Sequence, residues 1–204
     1  MTLPWIVGSA VIGVLAGPPL RSRVLARYDA RPPAAAVSAA AALALAAVVA
    51  RTGAPWQAAA FGWLALCAVP LVFIDIAVQR LPDPLTGAAF VGTLGLLAAA
   101  ALAGGHPGRL VGAAIGAAAV PAFYLLLFLI RPSGMGVGDV KLAASVGAAL
   151  GWLGWPQEVA ATLLTFTAAA SYGIALLLSR RATRTSQFPL GPFIVLGALA
   201  VLLA

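Results

Sequence analysis

Asp139 and Lys141 stand among three glycines in the stretch 134–142, which has the sequence Gly-Met-Gly-Val-Gly-Asp-Val-Lys-Leu. A charged side chain at the centre of a membrane helix costs about 2.5–3.5 kcal/mol on insertion scales, so an ionisable group near membrane depth predicts a functional site. Glycine at every second position disfavours a helix, and non-helical backbone near lipid is tolerated only where protein buries it or water reaches it. We therefore expect a non-helical site around Asp139.

The composition predicts a membrane protein. Hydrophobic residues make up 63% of the 204 residues and charged residues 8%, whereas about 25% of the residues in a soluble domain are charged. The single cysteine, Cys67, lies within an apolar run, so the sequence offers neither a disulfide framework nor a thiolate metal cluster. We expect no metal and no cofactor.

The apolar residues fall into runs of near-spanning length, separated by short loops. This pattern predicts an all-α, polytopic membrane protein with about eight transmembrane helices. The runs cover residues 4–20, 34–50, 57–75, 87–103, 110–130, 141–155, 159–179 and a last segment that ends at Ala204. Glycine pairs at small-xxx-small spacing, such as Gly112 and Gly116, predict close helix contacts.

The cations predict the orientation in the membrane. The net charge of +7 comes from arginines in short loops, a pattern typical of topology signals rather than of nucleic-acid binding. If the loop after the first run is cytoplasmic, only Arg51 and Arg109 of the twelve Lys and Arg residues lie outside. Both termini are then exterior, and the lipid bilayer is the surrounding partner. The ten cytoplasmic cations are residues 21, 23, 27, 31, 80, 131, 141, 180, 181 and 184.

Two carboxylates fall on the same side of the membrane in this topology. Asp75 lies at the end of the third span and Asp139 at the entrance of the sixth. A carboxylate pair that shares one proton activates water in aspartic proteases: the ionised acid takes a proton from water and the protonated acid polarises the carbonyl. The alternative is that both are helix-end charges, with Asp75 as an interfacial cap and Asp139 paired with Lys141 or Arg131.

The segment after Asp75 predicts a turn. Pro82 and Pro84 are expected to end the third helix and to hold the connection extended, while Thr86 caps the next helix with its hydroxyl. Asp83, between the prolines, is interpreted as a turn residue.

The remaining polar residues have weaker assignments. Lys141 either orients Asp139, contacts the main chain of a substrate, or only marks the cytoplasmic side. Glu158 is expected on the outer side, apart from the two aspartates. The only histidine, His106, is in a turn-rich loop and is interpreted as solvated.

Three segments carry a resemblance to a known family. Residues 136–142, Gly-Val-Gly-Asp-Val-Lys-Leu, resemble the Gly-x-Gly-Asp-x-Lys-Leu signature of the type IV prepilin peptidases, which are membrane aspartic proteases. Asp75 and the Arg-Leu-Pro-Asp-Pro-Leu-Thr of 80–86 are similar to the family's Asp and Arg-Ile-Pro-Asn-x-Leu-Thr at the same spacing. Residues 188–193 resemble its Pro-x-Gly-Pro-Phe before the last span. The resemblance covers roughly 57–200, and it is weaker at 7–9.

The resemblance implies an endopeptidase that cleaves the basic leader of prepilins or pseudopilins, after a glycine, at the cytoplasmic face. It implies one membrane-embedded domain over 1–204, with N-terminal spans and a short basic loop in 1–56 and the catalytic core in 57–204. The expected catalytic residues are Asp75 and Asp139, and those expected to bind substrate or shape the site are Gly136, Gly138, Lys141, Pro82 and Thr86.

Two departures from the family pattern limit what the resemblance implies. Members that also methylate the new pilin N-terminus have a sizeable cytoplasmic domain after the first span, often with paired Cys-x-x-Cys motifs. Here that loop is 21–31, eleven residues without cysteine, so the chain resembles the shorter form and no methyltransferase activity is expected. Asp83 replaces the usual Asn, which leaves turn chemistry intact.

Two other classes of function are open at this point. In an ion- or proton-coupled transporter or channel, Asp75 and Asp139 would bind a cation, but a path needs polar groups at several depths and the sequence has few beyond one edge. A non-catalytic membrane scaffold suits the alanine-rich runs and leaves the two acids without a role.

Overall fold

The computed structural model describes residues 2–132, 134–181, 183 and 188–204, and this part of the chain is helical, without a strand. The all-α class is thereby confirmed. Arg184, predicted on the cytoplasmic side, lies outside the described residues. The helices are α1 (Leu3–Pro19), α2 (Ala34–Arg51), α3 (Pro55–Val78), α4 (Asp83–Gly104), α5 (Pro107–Ile130), α6 (Val137–Leu153), α7 (Trp155–Leu178) and α8 (Gly191–Leu203).

Within the part of the chain that the structure describes, six helical segments are long and apolar enough to cross a membrane, as in an integral membrane protein. They are α2, α3, α4, α5, α7 and the helix that runs from Leu3 to Tyr28. The other two, α6 and α8, have 17 and 13 residues, whereas a helix that spans the hydrocarbon core needs about 20. The predicted count of about eight spans is therefore not confirmed.

Proline sets the start of most of these helices. Proline occupies one of the first positions of α3, α4, α5, α7 and α8. An amide at these positions has no partner within the helix, and the fixed φ of proline already suits the helix. Successive apolar helices are therefore separated only by short connections, and a proline marks where most of them begin.

The expectation of an eleven-residue loop over 21–31 is wrong. The first helix continues beyond α1 as a wide π turn over Leu20–Val24 and a tight 3-10 turn over Leu25–Tyr28. It ends where Asp29 takes a left-handed conformation with φ of 55°. Leu25 is fully buried, and this packing holds the segment in helical turns despite its arginines.

The core forms around α6, whose residues from Leu142 to Trp152 are almost all buried. The predicted glycine contacts are confirmed: a Cβ added at Gly112 would lie 2.5 Å from the carbonyl oxygen of Gly151. Small residues let the backbones of α5 and α6 meet, which is how membrane helices gain packing contacts. α6 is therefore a fixed central element, and its first turn carries Asp139.

Candidate active site

Asp75 lies in the last turn of α3 and is 4% exposed. The helix ends at Gln79, which takes a left-handed conformation with φ of 51° and donates its amide to the carbonyl of Asp75 at 2.9 Å. The prediction that Pro82 and Pro84 end this helix is wrong, because the chain has already left it. Pro82 instead precedes α4, with extended backbone, and Pro84 lies in the first turn of α4.

One oxygen of Asp75 is held by the start of α8. The amide of Gly191 donates to Oδ2 of Asp75 at 2.8 Å. Gly191 is the first residue of α8, where backbone amides lack partners within the helix and favour a negative charge. A Cβ at position 191 would lie 2.8 Å from the same oxygen, so the close approach depends on glycine.

Aromatic packing holds the segment that leads to Gly191. Phe188 and Phe193 flank it, and both rings contact Tyr172 of α7, with centroids 5.8 and 5.5 Å from the tyrosine ring. The sequence interpretation used residues 188–193 only as a resemblance and gave Gly191 no role. The glycine followed by a helix-starting proline was the available signal.

Asp139 lies in the first turn of α6 and is 6% exposed. Its Oδ2 accepts a hydrogen bond of 2.9 Å from the amide of Gly136, the residue that precedes the helix. Because Asp139 satisfies this free amide, α6 begins at Val137, and the prediction of non-helical backbone through Gly138 is wrong. Oδ1 of Asp139 is buried and has no hydrogen-bond partner among the described residues.

Gly138 brings the two acidic segments together. The loop that follows α3 crosses the first turn of α6, and a Cβ at Gly138 would lie 2.6 Å from the Cβ of Leu81. Any larger side chain at position 138 would push this loop away. The glycine is needed here for its small size rather than for unusual backbone angles.

A single cavity of about 280 Å³ contains both aspartates. Its wall is formed by Asp75, the loop 79–81, the stretch 134–139 and residues 188–190. Two buried carboxylates, 64 residues apart in the sequence, therefore line one partly polar cavity.

Gly136 and Gly138 line this cavity, and Lys141, Pro82 and Thr86 do not. Lys141 pairs with Asp83, at 2.6 Å from Nζ to Oδ1, rather than with Asp139. This pair joins the second turn of α6 to the first turn of α4, and the sequence interpretation of Asp83 as a plain turn residue missed it.

Thr86 does not cap α4, and that prediction is wrong. The helix begins at Asp83, so Thr86 lies within its first turn, fully buried. Its hydroxyl donates to the carbonyls of Pro82 and Asp83, at 3.3 and 3.2 Å. Thr86 thus stabilises the start of α4 from inside.

Glu158 is remote from the two aspartates. It is buried in the first turn of α7 beside Gly116 and Gly151. At a rise of about 1.5 Å per residue, Gly151 lies about 18 Å along α6 from Asp139. His106 is exposed and precedes α5. The described residues contain no group of three side chains suited to hold a metal ion.

The fold is that of an integral membrane protein, and two buried aspartates line one cavity in it. The sequence profile of the type IV leader peptidase family matches residues 58–178, which include α6, most of α3 and both aspartates. The match covers more than half of the chain. The chain therefore belongs to the type IV leader peptidase family, a family of proteases.

Curated relatives have the name prepilin leader peptidase/N-methyltransferase. The Aeromonas salmonicida (strain A449) protein is 35% identical over 164 residues, which are 78% of this chain and 54% of that relative. The Burkholderia pseudomallei (strain 1026b) protein is 37% identical over 71% of this chain and 45% of its own length. The chain thus spans about half the length of these relatives. No solved structure matches the chain significantly.

Proposed function

We propose that the protein is an aspartic endopeptidase that cleaves the leader peptide of type IV prepilins or pseudopilins. The observation that carries the proposal is the shared cavity, which Asp75 and Asp139 both line and in which both are buried. Membership of the leader peptidase family supports the substrate class.

The two carboxylates would act as one unit with a single proton between them. Oδ2 of each acid accepts a hydrogen bond from a backbone amide, that of Gly191 for Asp75 and that of Gly136 for Asp139. These bonds fix the orientation of the two carboxyl groups. The ionised acid removes a proton from a water molecule as the water oxygen bonds to the scissile carbonyl carbon. The protonated acid donates a hydrogen bond to the carbonyl oxygen. The C–N bond then breaks, and a proton from the pair passes to the leaving amine.

Asp139 Oδ1 is the atom best prepared for this chemistry. It is buried and unpartnered among the described residues, and a buried polar atom without a hydrogen bond is costly unless a function requires it. A nucleophilic water or a shared proton at this atom would satisfy it. Gly136 and Gly138 line the same space and leave room for extended substrate backbone.

The substrate class suits a site at the edge of a bilayer. A prepilin has a basic leader joined to an apolar helix, so the helix can lie in the membrane while the scissile bond reaches the interface. We place the site at the cytoplasmic face of the cell membrane, with both termini exterior, since this orientation puts most Lys and Arg residues inside. The chain acts here as one domain over 1–204.

The proposed activity is proteolysis alone. The relatives' name includes an N-methyltransferase, but those proteins are about twice as long as the matched part of this chain. The segment between α1 and α2 contains no cysteine, unlike the long domain expected of methylating members. A transporter is not favoured, because the acids that would bind a cation are gathered at one end of the bundle.

Cleavage of a purified prepilin by the purified protein tests the proposal. We expect a product cut after the glycine that ends the leader, and mass spectrometry of the product in the presence of S-adenosylmethionine should show an unmodified N-terminus. Failure to cut any prepilin or pseudopilin offered, by protein that is folded in detergent or lipid, would overturn the peptidase assignment. A methylated product would overturn the restriction to proteolysis.

A further inference from the structure

A second concavity, of about 500 Å³, lies along the membrane-embedded side of α3. Side chains of α2 and α8 form its two walls and α3 and α6 its floor, and every lining residue is apolar. On α3 the lining follows one helical face through Phe61, Ala65, Ala68, Val72 and Ile76. We call this concavity the α3 groove.

The α3 groove begins at the candidate active site. Ile76, at one end of the lining, follows Asp75 directly in the chain. Pro192, on the α8 side of the same end, follows Gly191, whose amide is bonded to Asp75. The groove therefore leads away from the Asp75–Gly191 hydrogen bond into the apolar depth of the bundle.

The dimensions of the groove suit one face of a transmembrane helix. From Ile76 to Phe61 it follows α3 for about 22 Å at 1.5 Å per residue, and the hydrocarbon core is about 30 Å thick. A volume of about 500 Å³ can hold the side chains along one face of a helix but not a whole helix. Small residues on the floor, such as Ala65 and Ala68, permit the close backbone approach on which membrane helix pairs depend.

The groove is open along its length to the bilayer. Leu43 on the α2 rim and Leu196 on the α8 rim are 72% and 60% exposed, whereas Ala68 on the floor is 4% exposed. A helix already inserted in the membrane can therefore enter sideways, without leaving the lipid. A peptide bond just ahead of such a helix would meet the aspartates as the helix settles.

We propose that the α3 groove binds the apolar helix that follows the scissile bond of the substrate, with the start of that helix beside Asp75 and Gly191. This inference rests on the proposed function. It adds a second recognition surface, remote from the chemistry, that holds the substrate in register. Binding energy from such remote contacts serves to position the reacting bond.

Site-specific crosslinking tests the placement. The enzyme is given Cys67→Ala to remove its own thiol and Asp139→Asn to keep the substrate whole. A single cysteine is then placed at Leu196 or Leu203, which line the groove near to and far from the site. Matched controls are Leu163→Cys on α7 and Val111→Cys on α5, exposed positions outside the groove. The crosslinking partner is a series of prepilin variants, each with a single cysteine at a successive position of the apolar helix.

We expect crosslinks at Leu196→Cys with the first turns of the substrate helix and at Leu203→Cys with turns further from the scissile bond. Crosslinks that form as readily at Leu163→Cys or Val111→Cys, or that lack this order, would overturn the proposal and leave lipid as the groove's occupant. Wild-type protein and the Cys67→Ala variant, both with Asp139 intact and without a groove cysteine, are assayed for cleavage of the same prepilin. Normal cleavage by these proteins without groove crosslinks refutes only this inference, whereas a prepilin that wild-type protein leaves uncut refutes the proposed function itself.

A narrowed groove gives a second readout. Ala198→Trp fills the groove from the half-buried face of α8, and Ala160→Trp, at a half-buried position of α7 outside the groove, is the matched control. We expect Ala198→Trp to raise KM for the intact prepilin several-fold with less change in kcat. A short peptide that spans the scissile bond but lacks the helix should be cut as by wild type. An unchanged KM for the prepilin would contradict the groove as its binding surface.

Discussion

The amide of Gly191 donates a hydrogen bond of 2.8 Å to the carboxylate of Asp75, across 116 residues of sequence. This bond joins the first residue of α8 to the last turn of α3. It fixes one oxygen of a buried acid that lines the same cavity as Asp139. The orientation of the proposed catalytic pair therefore depends on a helix that carries neither acid.

Gly191→Ala should lose most activity while the protein stays folded. The new Cβ would lie 2.8 Å from Asp75 Oδ2, so the start of α8 must shift and the hydrogen bond must lengthen. Gly95→Ala in α4 is the matched control, because a Cβ there meets nothing within 4 Å. Prepilin cleavage rates and thermal unfolding of both variants provide the measurement. Wild-type cleavage by Gly191→Ala would show that the bond is dispensable.

Gly138→Ala should also reduce cleavage, through the loop after α3. The new Cβ would lie 2.6 Å from the Cβ of Leu81. This clash would push apart the two segments that carry the acids. Leu81→Gly removes the opposing atom, so the double variant should recover part of the lost rate. A double variant no better than Gly138→Ala would show that the loss has another cause.

The Lys141–Asp83 ion pair should contribute little. Both side chains are substantially exposed, at 45% and 74%, and exposed pairs contribute about 0.2–1 kcal/mol. Asp83→Asn keeps an oxygen that accepts from Lys141, so cleavage should stay close to wild type. Unfolding temperatures at low and high salt should differ less in the variant than in wild type, because salt screens the intact pair. Loss of cleavage in folded Asp83→Asn would place Asp83 in the chemistry.

Glu158→Gln should cleave prepilin at the wild-type rate. The side chain is buried at the far end of α6, beside Gly116 and Gly151, and the amide keeps its size. Glu158→Ala should instead lower the thermal stability, since it empties space between α5, α6 and α7. A cleavage defect in Glu158→Gln at unchanged stability would contradict a purely structural role.

The sequence predicted the features that depend on local pattern. Apolar runs gave helices close to the observed bounds, and the glycine spacing anticipated the contact of Gly112 with Gly151. The predicted topology put Asp75 and Asp139 at one side of the bundle although they are far apart in the chain, and they line one cavity. Periodicity and loop charge determine these features, and both are visible in the sequence.

The features that depend on distant partners were missed. Nothing near Gly191 identifies Asp75 as its acceptor, and several acids were available to Lys141. The cap assigned to Thr86 was wrong because the helix already begins at Asp83, ahead of Pro84. The predicted spans at α6 and α8 are not confirmed, because apolar composition alone suggested them and these helices have only 17 and 13 residues.

The most direct test of the central claim is the cleavage rate of Asp75→Asn, Asp139→Asn and the double variant, each compared with wild type at equal amounts of folded protein. If the two acids activate one water as a unit, each single change should remove most activity and the double change should remove little more. Circular dichroism and thermal unfolding establish that the variants are folded. A folded Asp75→Asn or Asp139→Asn protein that cuts prepilin at a rate comparable to wild type would contradict the aspartate pair.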